Sequence, residues 1–582
     1  MSVQVRLPRH RPSTPVPRTP TGAAAPPAGA GIAGTGPRGG LASFVEAWSS
    51  SYGPTWWLDL LVLGALVFAL GAIKPLDDPD LPMHLATGEW IVRHHAVPFV
   101  EPFAWTRAGA PFFAYSWAAE VLFYLALEVL GPVGLHLLNG AVVLAGAGGV
   151  IVMGHTFRWR PWVTLVLAAF GVAVATMVVP SLRPQLALLA LVPLAWAFGE
   201  RVLRAPRALW PALGLFGVSA LAANTHLFFV LTAAPVALLY IHPPARRRRG
   251  LLLCAAIGGG WLATPYALAW PAVLELNFGH NALLAHPSPI AEFGPGFSTG
   301  FFGLVLGVSL ALIPFGLARR TLTTRERYGY GALWLAGLVA FAYAYRLLLA
   351  WWLIVLPAAA EALLHSRADA AERPPRAWVK RVSYGVATAM LVLIGLHVVP
   401  EWRREGGVAS RRLPSIAAPE LEPLLAWLQC NTTPDAHGRI FTWFNYGSYL
   451  TWRLPDYSAS VDGRTIFPDS VADPEAYTTG WMAPRAFHTW SSADLAILPR
   501  RFDVASILDT ASDWKLVAWT YERAHGSSTV GLWVRRDWWA REGKAPLPRY
   551  AHLQLDRRDG NDRSAGCGPA RPALAGRIAG GA

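Results

Sequence analysis

Long apolar stretches alternate with short polar breaks over most of this chain. Apolar runs lie near residues 56–73, 133–154, 162–180, 185–200, 209–223, 227–241, 251–271, 300–318, 330–345, 347–364 and 382–400. A helix needs about 20 apolar residues to cross the hydrocarbon core of a bilayer. The pattern therefore predicts about eleven membrane-crossing helices. One more apolar piece, Trp117 to Leu130, is shorter, contains Glu120 and Glu128, and stops at Gly131-Pro132. It is predicted to lie at the interface or dip into the membrane.

Beyond residue 400 the periodicity changes. Leu421–Gln429 reads as a helix. Arg439–Thr442, Ser458–Val461, Asp494–Leu498, Leu516–Trp519 and Val530–Val534 read as short strands with helical stretches between several of them. The expected organisation is a disordered basic tail over 1–50 and a membrane domain over 51–400, whose first outer loop is 74–132. A small α/β domain follows over 401–540, then a disordered tail over 541–582.

Composition agrees with this pattern. The 582 residues are 53% hydrophobic and 15% charged, too apolar for one water-soluble domain. The formal charge is +14. In a membrane protein such an excess points to cytoplasmic loops, not to nucleic acid. If the N-terminus is inside and 117–130 does not span, the cytoplasmic connections are Arg158–Arg160, Arg201–Arg207, Arg246–Arg249, Arg319–Arg327 and Arg367–Arg381. Every strongly basic loop then falls on one side, as the positive-inside rule requires. The expected fold class is a polytopic α-helical membrane protein with a C-terminal extracytoplasmic α/β domain.

The same arrangement gathers the chemically interesting residues on the opposite face. Asp78, Asp80 and His84 sit where the chain leaves its first apolar run. Asp80 and His84 are four apart, so a helix starting there shows both on one face. A carboxylate beside a sugar hydroxyl can take its proton. Two carboxylates and an imidazole can also hold a divalent cation through Asp78, Asp80 and His84. The plainer reading is a set of helix caps on a solvated loop. Arg183 and Gln185 open a span; a guanidinium there matches phosphate oxygens, or simply snorkels. Asn224 and His226 can line a polar cavity or form a short polar turn. Glu292 lies on a long outer connection and can orient substrate or be solvated. Arg346 interrupts an apolar stretch and calls for an anionic partner.

Three cysteines are too few for a disulfide framework. Cys254 lies in an apolar run and is expected to be a small core residue. Cys430 and Cys567 can pair if their region is extracytoplasmic. Aromatics are dense around Trp443, Tyr446, Tyr449, Trp452, Trp481 and Trp490. There is no P-loop, dinucleotide fingerprint, CxxC pair or HExxH motif, so ATP-driven transport has no engine in this chain.

Several of these pieces resemble one family. The run Asp78-Pro79-Asp80-Leu81-x-x-His84-Leu85-x-x-Gly88-x-x-Ile91, then Val97-Pro98, Glu101-Pro102-Phe103 and Trp117-x-x-Glu120, resembles the first outer loop of bacterial GT-C superfamily glycosyltransferases related to protein mannosyltransferases. Arg183-Pro184-Gln185, Asn224-x-His226, Pro265-Tyr266, Ala291-Glu292-Phe293 and Arg346 follow in the family's order. Phe444-x-Tyr446-Gly447-x-Tyr449-Leu450-x-Trp452 and Asp462-Gly463-Arg464 resemble its extracytoplasmic domain. One departure is Leu81-Pro82-Met83, where family members often carry aromatics.

The resemblance implies an inverting transferase in the bacterial inner membrane. It would move a hexose or pentose from a polyprenyl-phosphate donor to a glycan, lipid or protein hydroxyl. Asp78 or Asp80 would be the base, and Arg183 or Arg346 would neutralise the departing phosphate. Residues 117–130 would correspond to a juxtamembrane helix. The residues alone leave two rivals open: a lipid-linked sugar transporter or flippase, and a non-catalytic scaffold that binds glycan through an aromatic surface.

Overall fold

The computed structural model describes residues 41–76, 78–178, 182–204, 209–243, 248–279, 310, 312–318, 322–343, 347–363, 377–404, 420–464, 490–521, 530–548 and 551–554. Of the predicted residues, Glu292, Arg346, Trp481 and Cys567 lie outside these ranges, and the apolar run 300–318 lies largely outside them.

The apolar runs are helices. They are α1 (Leu41–Tyr52), α2 (Trp56–Ala72), α3 (Leu81–His94), α4 (Trp117–Leu130), α5 (Pro132–Thr156), α6 (Pro161–Val178), α7 (Leu188–Arg204), α8 (Leu209–Ala223), α9 (Leu238–Ile241), α10 (Gly250–Leu262), α11 (Trp270–Leu274), α12 (Thr324–Tyr343), α13 (Leu348–Ala362) and α14 (Ala377–Arg404). Among the described residues two segments are long and apolar enough to cross a membrane on their own: Pro132–Thr156, with mean hydropathy 1.9, and Pro184–Arg204, with mean hydropathy 1.7. A third is Gly250–Leu262 with Ala267–Asn277, bent by 96° at its break. Shorter apolar stretches of 10–17 residues include Trp56–Ala72, Pro161–Thr176, Leu209–Ala223 and Leu348–Ala362. Many outward residues of α2 and α8, such as Leu61, Val62 and Trp210, are apolar and exposed, as on helices that face lipid rather than water.

The C-terminal residues form a six-stranded sheet of order β2-β1-β3-β5-β4-β6. The strands are β1 (Gly438–Thr442), β2 (Tyr457–Ala459), β3 (Leu495–Pro499), β4 (Trp514–Tyr521), β5 (Val530–Arg535) and β6 (Ala551–Gln554). β1 pairs in parallel with β2 and β3, β5 runs antiparallel to β3 and β4, and β6 joins β4 in parallel. Helices α15 (Glu422–Asn431), α16 (Phe444–Arg453), α17 (Asp503–Thr510) and α18 (Arg536–Glu542) complete the unit. Five strands fall where alternation placed them. β6 lies inside the stretch read as a tail: its four residues gain their hydrogen bonds from β4, a partner some thirty residues away in sequence.

Four of the five described aromatics of the cluster belong to the core, and Trp443 is half-buried. Tyr446, Tyr449, Trp452 and Trp490 are all buried, and they pack with Leu424, Leu450, Phe441 and Trp514. These four buried rings do not themselves present a face to a glycan. Their density reflects the area they bury in a small sheet domain.

The sheet and the first loop share a core. Leu76, Leu81, Leu85, Ala119 and Phe123 belong to the same buried cluster as Leu424, Leu450, Tyr446 and Ile497. Ala104 of the loop pairs with Ala459 at the free edge of β2, so the loop covers a strand edge that would otherwise be open. Cys430 is disulfide-bonded; Cys254 is a free thiol that is exposed on α10, not the core residue its apolar run suggested.

Candidate active site

The site forms where α3 begins. Pro82 falls in the first turn, where its missing N–H costs nothing, so the departure at Leu81-Pro82-Met83 leaves the helix intact. Asp80 occupies the N-cap position, yet its side chain makes no capping bond. The capping explanation therefore does not hold for Asp80: its carboxylate is turned to something else.

That partner is Arg183. The side chain of Asp78 is fully buried and Arg183 is nearly so. Arg183 Nε donates to Asp78 Oδ2, and Nη2 donates to Asp78 Oδ1 at 3.1 Å. The same Nη2 lies 3.1 Å from Asp80 Oδ2. Asp78 Oδ1 also accepts from the Asp80 amide at 2.8 Å. One guanidinium thus holds two carboxylates, and its planar fork suits that task. The two acids differ in access: Asp78 is sealed, while the Asp80 side chain is 29% exposed.

One turn on, His84 Nδ1 sits 2.9 Å from Glu120 Oε1 of α4. This pairing fixes the ring and makes Nε2 its other polar atom. The second Glu120 oxygen, Oε2, is buried with no hydrogen-bond partner. Gly88 allows the pairing, because a β-carbon there would strike the Glu120 carbonyl oxygen. The helices α3 and α4 can cross this closely only at a residue without a side chain. Glu120 was readable in sequence as an acid in an apolar segment, but the segment gave no sign that it faces His84.

The possible metal ligands do not converge. Asp78 is enclosed by Arg183, and His84 turns to Glu120. Among the described residues no group of three or more His, Cys, Asp or Glu is arranged to hold a metal ion. Arg183 lies between the Asp78 and Asp80 carboxylates.

Other motif residues act as ties. Asn224 Nδ2 donates to Ala220 O at 2.7 Å and Ala263 O at 2.8 Å, and its Oδ1 accepts from Trp117 Nε1 at 2.6 Å. Its amide is fully engaged in joining α4, α8 and the end of α10, so it does not line an open cavity. His226 Nδ1 accepts from the Phe228 amide at 3.1 Å, capping the turn that follows. Tyr266 Oη accepts from the Ala114 amide at 2.8 Å and donates to Pro98 O at 3.2 Å, pinning both ends of the first loop. Gln185 is buried in the turn after Arg183.

A second ionic cluster fastens the loop to the sheet. Arg464 donates to both Glu101 oxygens at 2.8 and 2.9 Å and also to Asp462. Both carboxyl side chains are fully buried. Arg464 also lies over the Phe112 ring, 4.7 Å from its centroid. Burial works against the Arg464 charge, but the two carboxylates outweigh it and hold the guanidinium protonated well above its ordinary range. Glu101 and Arg464 are 363 residues apart, and no local signal could have joined them.

Several solved structures align with this chain at low identity. ArnT from Cupriavidus metallidurans in the apo state aligns over 82% of this chain and 98% of that chain, at 14% identity and a TM-score of 0.47. The same protein bound to undecaprenyl phosphate aligns at 16% identity and a TM-score of 0.45, with the same coverage. The mycobacterial arabinofuranosyltransferase AftD aligns over 82% of this chain and 41% of that chain, at 17% identity and a TM-score of 0.45. At these identities and TM-scores the alignments assign no family, role or residue to this chain. No family model and no curated protein matches the sequence.

Proposed function

We propose that this chain is an integral-membrane, inverting glycosyltransferase with Asp80 as its base. It moves a sugar from a polyprenyl-phosphate donor to an acceptor hydroxyl on the extracytoplasmic side. The observation that carries this reading is the Asp78–Arg183–Asp80 arrangement. A polar cluster this deep is costly unless each charge is paired. Here one guanidinium serves both carboxylates, and the Asp80 side chain, 29% exposed, still offers a face to a ligand.

The acceptor hydroxyl meets the Asp80 carboxylate, loses its proton to it, and attacks the anomeric carbon as the carbon–oxygen bond to phosphate breaks. The lipid phosphate already leaves well, so one base is enough and the configuration inverts. Two carboxylates and one guanidinium sum to a single negative charge, so this cluster does not attract a phosphate by itself. Arg183 is therefore assigned to holding Asp80, and Asp78 to holding Arg183. The charge on the departing phosphate falls to Arg346 and His84, the latter set in place by Glu120.

The placement of the membrane domain follows the basic loops, with about eleven spans. The disulfide at Cys430 supports an oxidising, extracytoplasmic side for the sheet, and the sheet lies on the loop that carries Asp80.

The test uses full-length protein in lipid nanodiscs, a panel of undecaprenyl-phosphate-linked pentoses and hexoses, and membranes of a deletion strain as acceptor. Turnover is read as release of undecaprenyl phosphate. Asp80→Asn abolishes turnover while the protein still folds. Full turnover by Asp80→Asn would refute the assignment.

A further inference from the structure

We propose that the Asp462-Gly463-Arg464 turn of the sheet domain is a positioning element of the active site. In this reading the Gly463 backbone seats the Asp80 carboxylate against Arg183, so that the base is aligned by a part of the chain more than 380 residues away. The inference rests on Asp80 being the base.

The contact is direct. A β-carbon placed on Gly463 would lie 2.5 Å from Asp80 Oδ1 and 2.8 Å from Ser448 Oγ. Both separations are shorter than real β-carbon contacts, so the bare backbone forms one wall around this oxygen. The opposite oxygen, Oδ2, is held by Arg183 at 3.1 Å. Asp80 is thus gripped from both sides, by a guanidinium on one and a peptide wall on the other.

The wall is itself rigidly held. The Gly463 amide donates to Ser448 Oγ at 2.9 Å. The Arg464 amide donates to Asp462 Oδ1 at 3.0 Å. The Arg464 side chain forks onto Glu101, and Glu101 Oε1 also accepts from the Phe103 and Ala104 amides at 2.9 and 3.1 Å. On α16, Gly447 provides the space for this: a β-carbon there would run into the Val461 carbonyl oxygen. The turn can lie on α16 only because residue 447 has no side chain.

Gly463 is not among the residues with positive φ. An alanine can adopt this backbone without strain, and the cost of adding one is the collision with Asp80 and Ser448. Gly463→Ala is therefore a steric probe of the carboxylate's position. Catalytic groups displaced by about 1 Å lose about 100-fold in rate.

The experiment measures kcat and donor KM for wild type, Gly463→Ala, Ser448→Ala and Asp80→Asn in the nanodisc assay above, with thermal melting of each variant as the folding control. Gly463→Ala is expected to lower kcat by about tenfold or more with little change in donor KM. Ser448→Ala, which releases the wall without adding volume, shifts kcat in the same direction by less. Wild-type kcat in Gly463→Ala beside an inactive Asp80→Asn overturns this inference and leaves the base assignment standing. A matching rise in KM also overturns it, since that signals general distortion. If Gly463→Ala fails to fold, Ser448→Ala decides, and wild-type kcat there overturns the inference. An active Asp80→Asn removes the base assignment itself.

Discussion

Replacing Arg464 with leucine removes a cation that holds the first loop to the sheet domain. The structure sets the size of the effect. Arg464 makes two bonds of 2.8 and 2.9 Å to Glu101 and a third contact to Asp462, and both carboxylates are fully buried. Removing one partner of a buried pair leaves its counterpart uncompensated, at about 3–5 kcal/mol. Since 1.4 kcal/mol is a factor of ten, local opening of the loop should rise by about 10² to 10³·⁵. Hydrogen exchange on the full-length protein reads this directly. The Phe103, Ala104 and Arg107 amides, which bond to Glu101 and to Ala104 O, should lose protection by about that factor in Arg464→Leu. Amides in β3 and β5 should be unaffected. A charge-free triple variant, Glu101→Gln, Asp462→Asn and Arg464→Met, should recover most of the loss, because no buried charge then lacks a partner. Two results would refute the reasoning. One is less than about a threefold change in the single variant, when about 3 kcal/mol is expected. The other is a triple variant no better than the single one.

Three further outcomes follow from the geometry. His84→Gln and Glu120→Gln should each reduce turnover, and the double variant should fall no further than the worse single one, because they act as a unit; additive losses measured in the same assay would separate them. Gly88→Ala forces α3 and α4 apart at the Glu120 carbonyl, so it should destabilise by about 1–3 kcal/mol, seen as a lower melting temperature in nanodiscs; an unchanged melting temperature would mean the crossing relaxes freely. Glu422 supplies a pH test. Burial alone would raise its pKa, but the bonds from Arg453 and Tyr449 leave it below the ordinary value of about 4.5. A depressed carboxylate stabilises the fold above that ordinary value and loses the contribution as pH falls through the folded one. Protease sensitivity near α15 should therefore rise on acidification below about pH 4.5 in wild type, and Glu422→Gln should flatten this dependence.

Hydrophobic period alone located the described apolar helices and five of the six described strands, because helix and strand formation answer to patterns a few residues long. The chain also showed which residues carry chemistry: acids and an arginine beside apolar segments stand out because such placements are costly. It could not show what each of them touches. Asp78 and Asp80 differ by two positions, and only the folded chain separates the sealed acid from the open one. The difference arises because Arg183, 105 residues on from Asp78, closes over the first with two bonds and reaches the second with one. Asn224 reads equally well as a cavity residue or a tie until Trp117 and Ala263 appear beside it. Tyr446, Tyr449 and Trp452 read as a surface or as core in sequence, and the fold buries them, since burial depends on which elements pack together. Glu101 with Arg464, and Gly463 with Asp80, meet across more than 350 residues of chain. Sequence determined the elements and the cast of polar residues, since both follow from local chemistry. Tertiary structure decided the pairings, since a buried charge takes its role from whichever distant group neutralises it.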